Sequence, residues 1–566
     1  MRRKKRTLAA VLSLTMMLSS NMPLAAFAEE AAATSFVSGG TVIAPAPAES
    51  GSGHEDGDAA DAVGAESTTY YVSSTKGSNE NEGTSAEQAF ASLLKINEIT
   101  LRPGDKVLLE RGSVFQNEYL HIKGSGNADA PIIIGSYGDT ASPLPLIATN
   151  GYGVWYQDYN LASLDSTTHV LRGNVSSCIL LYDVEYIEIS DIAMTNEGNF
   201  ASGESYSTAD RMDRTGVAAV TQNIGTADHI VLRNLEIRNV QGNVYNKHMC
   251  NGGIYMVCAQ PKDTATGISK YDDVLIEGCT LSNVNRWGIA VGYTCYWDKF
   301  RTRELADEVV MEYGSTNVVV RNNYLSDLGG DGITMMYCYQ PLVERNVVTA
   351  FSRDMNNSIY THPVSKKNGG KNRGGMLAAG IWPWKCKTPI FQYNECYDAH
   401  YSQDSQAWDA DSGDGCVYQY NYSSNNAGGC VMFCLQQAVN SVFRYNISQN
   451  DLGGILNLSA NPNGEIYNNV FYIKENVPVN RMRNGTTNIY NNIFYYAGSA
   501  PAPEKVCNWS WIKGTWSNNI YYNFSNIPND VNAIREDPLF VNGGSAPVGA
   551  QDNGLVYDRS FIKHQL

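Results

Sequence analysis

Apolar and polar residues alternate in short stretches along most of this chain, and the stretches recur at regular intervals. An apolar residue followed two or three positions later by asparagine marks each unit, at Asn234, Asn323, Asn346, Asn394, Asn421, Asn446, Asn469, Asn492 and Asn519. The last six intervals are 48, 27, 25, 23, 23 and 27 residues. Short strands repeated at this spacing are typical of the coils of a β-helix. The pattern therefore predicts an all-β fold, a parallel β-helix, and parallel crossovers make it right-handed.

The asparagines are expected to serve the bends between strands. Asparagine tolerates the left-handed backbone conformation that a tight bend requires, and its amide can hydrogen-bond to the amide of the next coil. Coils before residue 323 are spaced by about 43 to 45 residues, which predicts loop insertions or extra coils. We expect such insertions to wall a cleft on one side of the helix.

A second column fixes which side chains face the interior. Glycine or alanine precedes an apolar alternation seven times, so period two directs one set inward: Ile254, Ile289, Ile333, Ile381, Trp408, Cys430 and Ile455. The alternate set is then predicted to point outward, and it includes Tyr255, Thr334, Met336, Trp382, Trp384, Asp409, Asp411, Val431 and Phe433.

The ends of the chain follow a different pattern. Residues 1–28 have a basic start, an apolar run at 8–18 and an Ala-Phe-Ala cleavage site, which predict a signal peptide and a secreted or cell-surface bacterial protein. Residues 29–66 read as a disordered linker. Residues 67–160 are predicted to form an N-terminal cap and the first strands, with strands at 70–72 and 106–110 and a helix at 85–99. The β-helix and its catalytic cleft then occupy 161–525, and 526–566 form a C-terminal tail or cap.

Composition narrows the function classes. The 566 residues are 43% hydrophobic and carry a formal net charge of −16, which becomes −21 without the five basic residues of the leader. Such an acidic chain is a poor partner for nucleic acid or anionic membranes, and no second apolar run long enough to span a membrane follows the leader. The 12 cysteines contain no CxxC pair. We expect them to act as small core residues rather than as a disulfide framework.

The densest group of acids marks the candidate site. Asp404, Asp409, Asp411 and Asp414 fall within eleven residues, and the register places Asp409 and Asp411 side by side on the outer face. Aromatic residues occupy the same outward positions on adjoining coils: Trp382, Trp384 and Phe433. Carboxyl pairs flanked by aromatic platforms suit carbohydrate chemistry, because ring faces stack on sugars while the carboxyls act as acid and nucleophile or base. The same acids could bind a structural calcium ion or lie in solvated turns, and the residues alone leave these alternatives open.

Several motifs together resemble the exported β-helix glycosidases of glycoside hydrolase family 136. They lie at 153–158 (GVWYQD), 379–384 (AGIWPW), 403–411 (QDSQAWDAD) and 419–423 (QYNYS), and the resemblance extends over residues 68–525. It implies retaining release of lacto-N-biose, galactose β1,3-linked to N-acetylglucosamine, from oligosaccharides such as lacto-N-tetraose. Two aspartates seven residues apart catalyse the reaction in that family, which implies Asp404 as general acid/base and Asp411 as nucleophile. Asp409 competes for either role.

The resemblance also carries expectations about ligands and partners. Trp382, Trp384, Asp409, Gln403 and Phe433 are expected to bind the sugar, and catalysis is expected to need no cofactor. Some family members have a helical folding partner, which residues 29–66 are too short to supply, so such a partner would be a separate chain.

Two other functions compete with a glycosidase. One is a polysaccharide lyase on the same fold, which the absence of lysine or arginine from the columns around Asp411 disfavours. The other is a non-catalytic glycan-binding solenoid, which would tolerate loss of Asp411. The fold by itself does not choose between these functions.

Overall fold

The chain winds into successive coils, most of which contribute one strand to each of three mainly parallel sheets. The computed structural model describes residues 67–165, 169–198, 212–244, 246–355, 377–402, 404–541 and 543–546. The predicted signal peptide, the linker and Gln403 lie outside the described residues. The right-handed parallel β-helix expected from the repeat is confirmed.

Sheet A, the longest, begins each coil. Its 15 strands are Thr69–Val72, Lys106–Glu110, Ile132–Tyr137, Ile187–Ser190, Thr226–Arg233, Lys270–Glu277, Thr316–Arg321, Leu342–Glu344, Ile390–Gln392, Val417–Gln419, Ser441–Arg444, Gly464–Tyr467, Asn488–Tyr490, Trp516–Ser517 and Asp530–Val531.

Sheet B follows after a short bend. Its 13 strands are Val114–Gln116, Leu146–Ala148, Ala193–Asn196, Glu236–Val240, Thr280–Val284, Tyr324–Leu328, Val347–Thr349, Glu395–Tyr397, Tyr422–Ser424, Ile447–Gln449, Val470–Ile473, Ile493–Tyr496 and Ile520–Tyr522.

Sheet C completes the coil and carries the candidate site. Its parallel strands are Leu120–Ile122, Arg172–Tyr182, Asp213–Thr221, Gly252–Cys258, Trp287–Thr294, Ile333–Met336, Ile381–Trp384, Trp408–Asp411, Val431–Cys434 and Leu456–Ser459. One further strand, Val154–Asp158, pairs antiparallel with Arg172–Tyr182.

The helices of the described residues are short and lie between strands. The α-helices are Leu94–Asn97, Asp307–Tyr313 and Glu504–Cys507, and the 3-10 helices are Ala86–Gln88, Thr264–Thr266, Trp297–Phe300, Leu435–Gln437 and Trp509–Trp511. The described part of the chain contains no helix that is both long and apolar enough to cross a membrane.

The single helix predicted at 85–99 is wrong, because the backbone of Phe90 pairs with the first strand. The amide of Phe90 donates to Tyr71, and its carbonyl accepts from Ser73, so the chain is extended between two short helices. Ser85 caps the first of these, as its motif predicts, by accepting a hydrogen bond from the Gln88 amide. The strand at 106–110 is confirmed.

A buried ladder of asparagine side chains links consecutive coils between sheets A and B. Each ladder amide donates to the side-chain oxygen of the next asparagine, at 2.9–3.1 Å, through Asn323, Asn346, Asn394, Asn421, Asn446, Asn469, Asn492 and Asn519. The same oxygen also accepts the backbone N–H of the preceding asparagine, as between Asn421 and Asn446 at 2.9 Å. The predicted axial hydrogen bonding is therefore confirmed.

The left-handed bend falls one residue earlier than the ladder. Tyr393, Tyr420 and Tyr445 have φ of 56–57°, whereas the asparagines that follow them are not left-handed. Asn234 occupies this bend position, with φ of 53°, and Leu235 takes the place of the ladder asparagine. One residue type was expected to do both tasks, but the fold separates them because the ladder side chain must point inward.

The register of sheet C corrects two outward assignments. Trp408 pairs with Val431, and Ala410 pairs with Phe433, so Val431 and Phe433 both lie in the interior core. The prediction that Phe433 faces outward and binds sugar is wrong. The turn before this strand has positive φ at Gly429, and the strand begins one residue later than the aligned glycines indicate. A shift of one residue exchanges the two faces of a strand.

Insertions, rather than extra coils, account for the long intervals. Leu232, Ile276 and Val320 occupy the same register position on neighbouring strands of sheet A, so each interval of 44 residues is a single coil. Inserted residues pack on the outer face of sheet C and form with it a second apolar cluster, which includes Trp155, Tyr159, Leu164, Tyr255, Trp287, Tyr293, Phe300, Leu305, Tyr337 and Trp382. All 12 cysteines are unpaired, and only Cys434 is more than slightly exposed.

The ladder predicts a measurable stability difference. Asn446→Ala leaves the Asn421 backbone N–H without its partner and removes the hydrogen bonds to the Asn421 side-chain amide and the Tyr418 carbonyl. We expect it to lower the free energy of unfolding by about 2–4 kcal/mol. The matched control is Asn463→Ala, whose side chain bonds to exposed Asn440 and whose loss should cost less than about 1 kcal/mol. Urea unfolding measures both, and equal losses would contradict an axial role for the ladder.

Candidate active site

The candidate site lies on the outer face of sheet C, beside the turns that enter this sheet from sheet B. Asp409 and Asp411 alternate with the core residues Trp408 and Ala410, so their side chains leave the interior together. Asp404 lies on the turn before this strand. The structure therefore brings together the three aspartates that the sequence singled out on adjacent outward positions and at the neighbouring turn.

Asp404 is held by one backbone hydrogen bond. Its Oδ2 accepts the Ala378 amide at 2.9 Å. Burial raises the pKa of Asp404 to about 7, the nearby Lys247 opposes this rise, and Asp331 and Asp411 add to it. A carboxyl with this pKa carries a proton for part of the time at neutral pH and can donate it.

Asp411 has more partners and a lower pKa. The Ser412 hydroxyl donates to its Oδ1 at 2.9 Å. Burial raises the pKa of Asp411 to about 6, while hydrogen bonds from Ser412 and Cys434 and the charges of Lys247 and Lys385 favour the anion. Of these two carboxyls, Asp411 is the one better supplied with groups that stabilise negative charge.

Asp409 is the most deeply buried of the three. Its side chain is 7% exposed, and its Oδ1 has no hydrogen-bond partner among the described residues. Burial, together with the charges of Asp411 and Asp404, raises the pKa of Asp409 well above its usual range. Its surroundings therefore favour the neutral form of this side chain.

The expected calcium alternative needs four clustered carboxylates, and Asp414 does not join the other three. Its oxygens instead accept hydrogen bonds from the Leu305 amide, Lys387 and Asn440. One atom each from Asp409, Asp411 and Cys434 lie within 4.8 Å of one another. Two carboxylates with a thiol do not form the oxygen cage that calcium prefers.

Tryptophans form one wall of the site. Trp384 pairs with Asp411 across neighbouring strands, and its indole N–H donates to the Tyr337 hydroxyl at 3.0 Å. Trp382, only 6% exposed, stacks on Trp287 with ring centroids 6.2 Å apart. Trp384 is half-buried, so it offers the more accessible indole to a bound sugar.

Basic side chains also reach the site, contrary to the expectation of a purely acidic and aromatic ridge. Lys247 lies over the Trp382 ring at 5.4 Å, and burial lowers its pKa. Lys385 directly follows Trp384, is 7% exposed and has a pKa lowered to about 8 by burial. Arg481 donates to the Gly453 carbonyl at 2.8 Å. Burial lowers the pKa of Arg481, and the charge of Asp404 opposes this shift.

A covering loop adds a second polar cluster near Lys385. Asp165 accepts from His169 at 2.7 Å and from the Tyr293 hydroxyl at 3.1 Å. The Nε2 atoms of His169 and His248 lie 3.2 Å apart. The hydrogen bonds of Asp165 with His169 and Tyr293, and the nearby charges of His248 and His169, outweigh burial and lower the pKa of Asp165 to about 2.

Sequence reasoning missed these basic and histidine residues for different reasons. Lys385 is the neighbour of Trp384 in the sequence, but it lies just after the end of the strand and has a left-handed φ of 56°. The period-two pattern therefore does not include it. Lys247 and His248 lie on a turn more than 150 positions before Asp404, and no periodicity links them to it. Of the predicted sugar-binding residues, Trp382, Trp384 and Asp409 meet at the site.

The chain is similar in sequence and in fold to known proteins. No family model matches the chain. A curated lacto-N-biosidase of Bifidobacterium longum subsp. longum is 40% identical over 541 residues, which cover 88% of this chain and 33% of that protein. The chain therefore spans a third of the length of this relative.

Two crystal structures of a lacto-N-biosidase of glycoside hydrolase family 136 from Eubacterium ramulus also match. The native and selenomethionine forms are 48% identical to this chain, with TM-scores of 0.71 and 0.72. Each covers 76% of this chain, and the matched parts are 68% and 67% of the crystallised chains. With this identity over two thirds of a crystallised member and the same β-helix, the chain belongs to glycoside hydrolase family 136.

Proposed function

We propose that the protein is a retaining lacto-N-biosidase, which releases lacto-N-biose from lacto-N-tetraose and related oligosaccharides. The observation that carries the proposal is the pair Asp404 and Asp411, two half-buried carboxyls beside a tryptophan wall. Desolvation raises their pKa values to about 7 and about 6. The names of the matched relatives from B. longum and E. ramulus supply the substrate.

Asp404 acts as the general acid. Because its Oδ2 accepts the Ala378 amide, the proton of the neutral acid resides on Oδ1. That oxygen protonates the leaving sugar as the glycosidic bond breaks. In the second step the resulting carboxylate takes a proton from the attacking water.

Asp411 acts as the nucleophile. Donors from Ser412 and Cys434 hold its carboxylate, and Lys247 and Lys385 add favourable charge, so the anion is available at the pH where Asp404 is still protonated. Attack on the anomeric carbon forms a glycosyl-enzyme that water then hydrolyses, with retention of configuration. Retention requires the two carboxyls to lie about 5–5.5 Å apart. The charge of Asp411 adds to the rise in the pKa of Asp404, which supports a close pair.

Asp409 serves binding rather than chemistry. In the neutral form, which burial favours, it can donate a hydrogen bond to a sugar oxygen or to Asp411, but it is a poor nucleophile. Trp384 stacks on the sugar from the neighbouring coil. This scheme uses side chains alone and needs no cofactor.

We also propose that the protein is exported. The basic start, the apolar run and the Ala-Phe-Ala site within residues 1–28 support this localisation. An extracellular enzyme meets oligosaccharide substrates directly, without a need to import them first.

The substrate proposal predicts a specific product and a specific loss. Incubation with lacto-N-tetraose should release lacto-N-biose, whose β-anomer appears first in time-resolved proton NMR. Asp411→Asn should lower kcat/KM by at least about 10³-fold, because the amide cannot form the covalent intermediate. The matched control is Asp398→Asn, an exposed residue with φ of 60° that asparagine also tolerates. An initial α-anomer would contradict retention, and undiminished activity of the Asp411 variant would contradict its role.

The raised pKa values predict a narrow bell-shaped pH dependence of kcat/KM. Activity should rise as Asp411 ionises near pH 6 and fall as Asp404 loses its proton near pH 7. Ser412→Ala removes a donor to the Asp411 anion, raises its pKa and should move the acidic limb upward by about half to one pH unit. Ser525→Ala, which removes a hydrogen bond to the distant Ala502 carbonyl, should leave the limb in place. A limb insensitive to Ser412 would exclude Asp411 as its source.

Export predicts a processed N-terminus. Expression of the full chain in a bacterial host should place the enzyme outside the cytoplasm with Glu29 as its first residue, which N-terminal sequencing detects. Ala28→Arg should block cleavage, because the site accepts only small residues. Cytoplasmic protein that retains residues 1–28 would refute this localisation.

A further inference from the structure

Three consecutive residues before the strand Ile381–Trp384 each bond to an acidic or basic side chain. The Leu377 carbonyl accepts from Arg286 at 2.7 Å, and the Ala379 amide donates to Asp331 at 3.0 Å. Between them, the Ala378 amide donates to Asp404 at 2.9 Å. The peptide that holds the proposed general acid is thus fastened on both sides.

Arg286 and Asp331 form one buried ion pair. Nη2 of Arg286 lies 2.6 Å from Oδ2 of Asp331, and both side chains are 0% exposed. The two residues belong to successive turns between sheets B and C, one coil apart. Neither side chain can touch a substrate, because no solvent reaches them.

Asp331 also fixes the tryptophan wall. The same Oδ1 that accepts the Ala379 amide accepts the Trp382 indole N–H, at 3.0 Å. The guanidinium of Arg286 lies 5.1 Å from the Trp287 ring centroid, and Trp287 in turn stacks on Trp382. One ion pair therefore contacts both the indole wall and the segment next to Asp404.

We propose that the Arg286–Asp331 pair is a positioning element for acid catalysis, which holds residues 377–379 so that the Ala378 amide keeps Asp404 Oδ2 occupied and Oδ1 directed at the leaving group. The inference rests on the proposed function of Asp404. A buried ion pair contributes little net stability compared with apolar residues of the same size, so stability alone does not account for this arrangement. The ion pair instead links the turns of Arg286 and Asp331 to the segment that bonds Asp404 Oδ2.

Loss of this positioning should slow mainly those substrates whose leaving group must be protonated. Lactose, the leaving group from lacto-N-tetraose, departs only when an acid protonates the glycosidic oxygen, whereas p-nitrophenolate departs without that help. Misplacement of Asp404 should therefore slow the oligosaccharide far more than p-nitrophenyl β-lacto-N-bioside. Misplacement of the whole site would slow both substrates alike.

Two variants test the pair. Asp331→Asn removes the charge at nearly constant volume but leaves Arg286 buried and unpaired, and it can fail to fold for that reason. The double variant Arg286→Met with Asp331→Asn leaves no unpaired charge. We expect each folded variant to raise the ratio of kcat/KM for the nitrophenyl glycoside over that for lacto-N-tetraose by at least about 10-fold. Equal losses on both substrates, or an unchanged ratio, would overturn the proposal.

Asp451→Asn is the matched control, since Asp451 is also fully buried and accepts hydrogen bonds from Ser423, Ser448 and Asn426. It should leave the ratio unchanged. Hydrogen exchange of peptides that contain residues 377–382 gives a readout independent of activity: protection should fall in both pair variants and not in the control. Unchanged hydrogen exchange in the pair variants would refute the positioning role of Arg286 and Asp331. If the wild type is inactive but exchange is altered in the variants, only the proposed function is refuted.

Discussion

Alignment of successive coils is the constraint on which this structure depends, and the buried asparagine ladder holds that alignment. A ladder oxygen accepts both an amide and a backbone N–H from the preceding coil, as Asn446 does from Asn421, so a coil cannot slip without breaking two buried hydrogen bonds. The same alignment sets Trp384 beside Asp411 on sheet C. Hydrogen bonds between sheets A and B therefore help to set the register of the side chains on the outer face of sheet C.

Burial gives the site its acid–base character. Desolvation raises the pKa of Asp404, Asp409 and Asp411 alike, and the three differ in how many groups oppose the rise. Asp411 has hydroxyl and thiol donors and two lysines near it, whereas Oδ1 of Asp409 has no partner among the described residues. In three carboxyls of one type, the neutral form is thus favoured to different extents because their local partners differ.

The turns between sheets B and C supply most of the remaining groups. Lys247, Arg286, Asp331 and Asp404 lie on turns of different coils, yet each coil returns to the same edge of sheet C and stacks these turns together. A solenoid can in this way gather a site from positions more than 150 residues apart. Functional groups usually lie on loops that a rigid scaffold holds in place. Here the scaffold is the β-helix, whose coils are aligned by the asparagine ladder.

The sequence by itself determined the repeat, the sheet type, most core columns and the acidic segment with Asp404, Asp409 and Asp411, because each is encoded by local periodicity. It did not determine the face of Phe433, since the Gly428–Gly429 turn shifts the strand by one residue and such a shift exchanges its two faces. Nor did it separate the left-handed Tyr420 from the ladder residue Asn421. Only the tertiary structure decided which distant cations and carboxylates meet, because contacts between stacked turns depend on coil registration and burial, which no local pattern records.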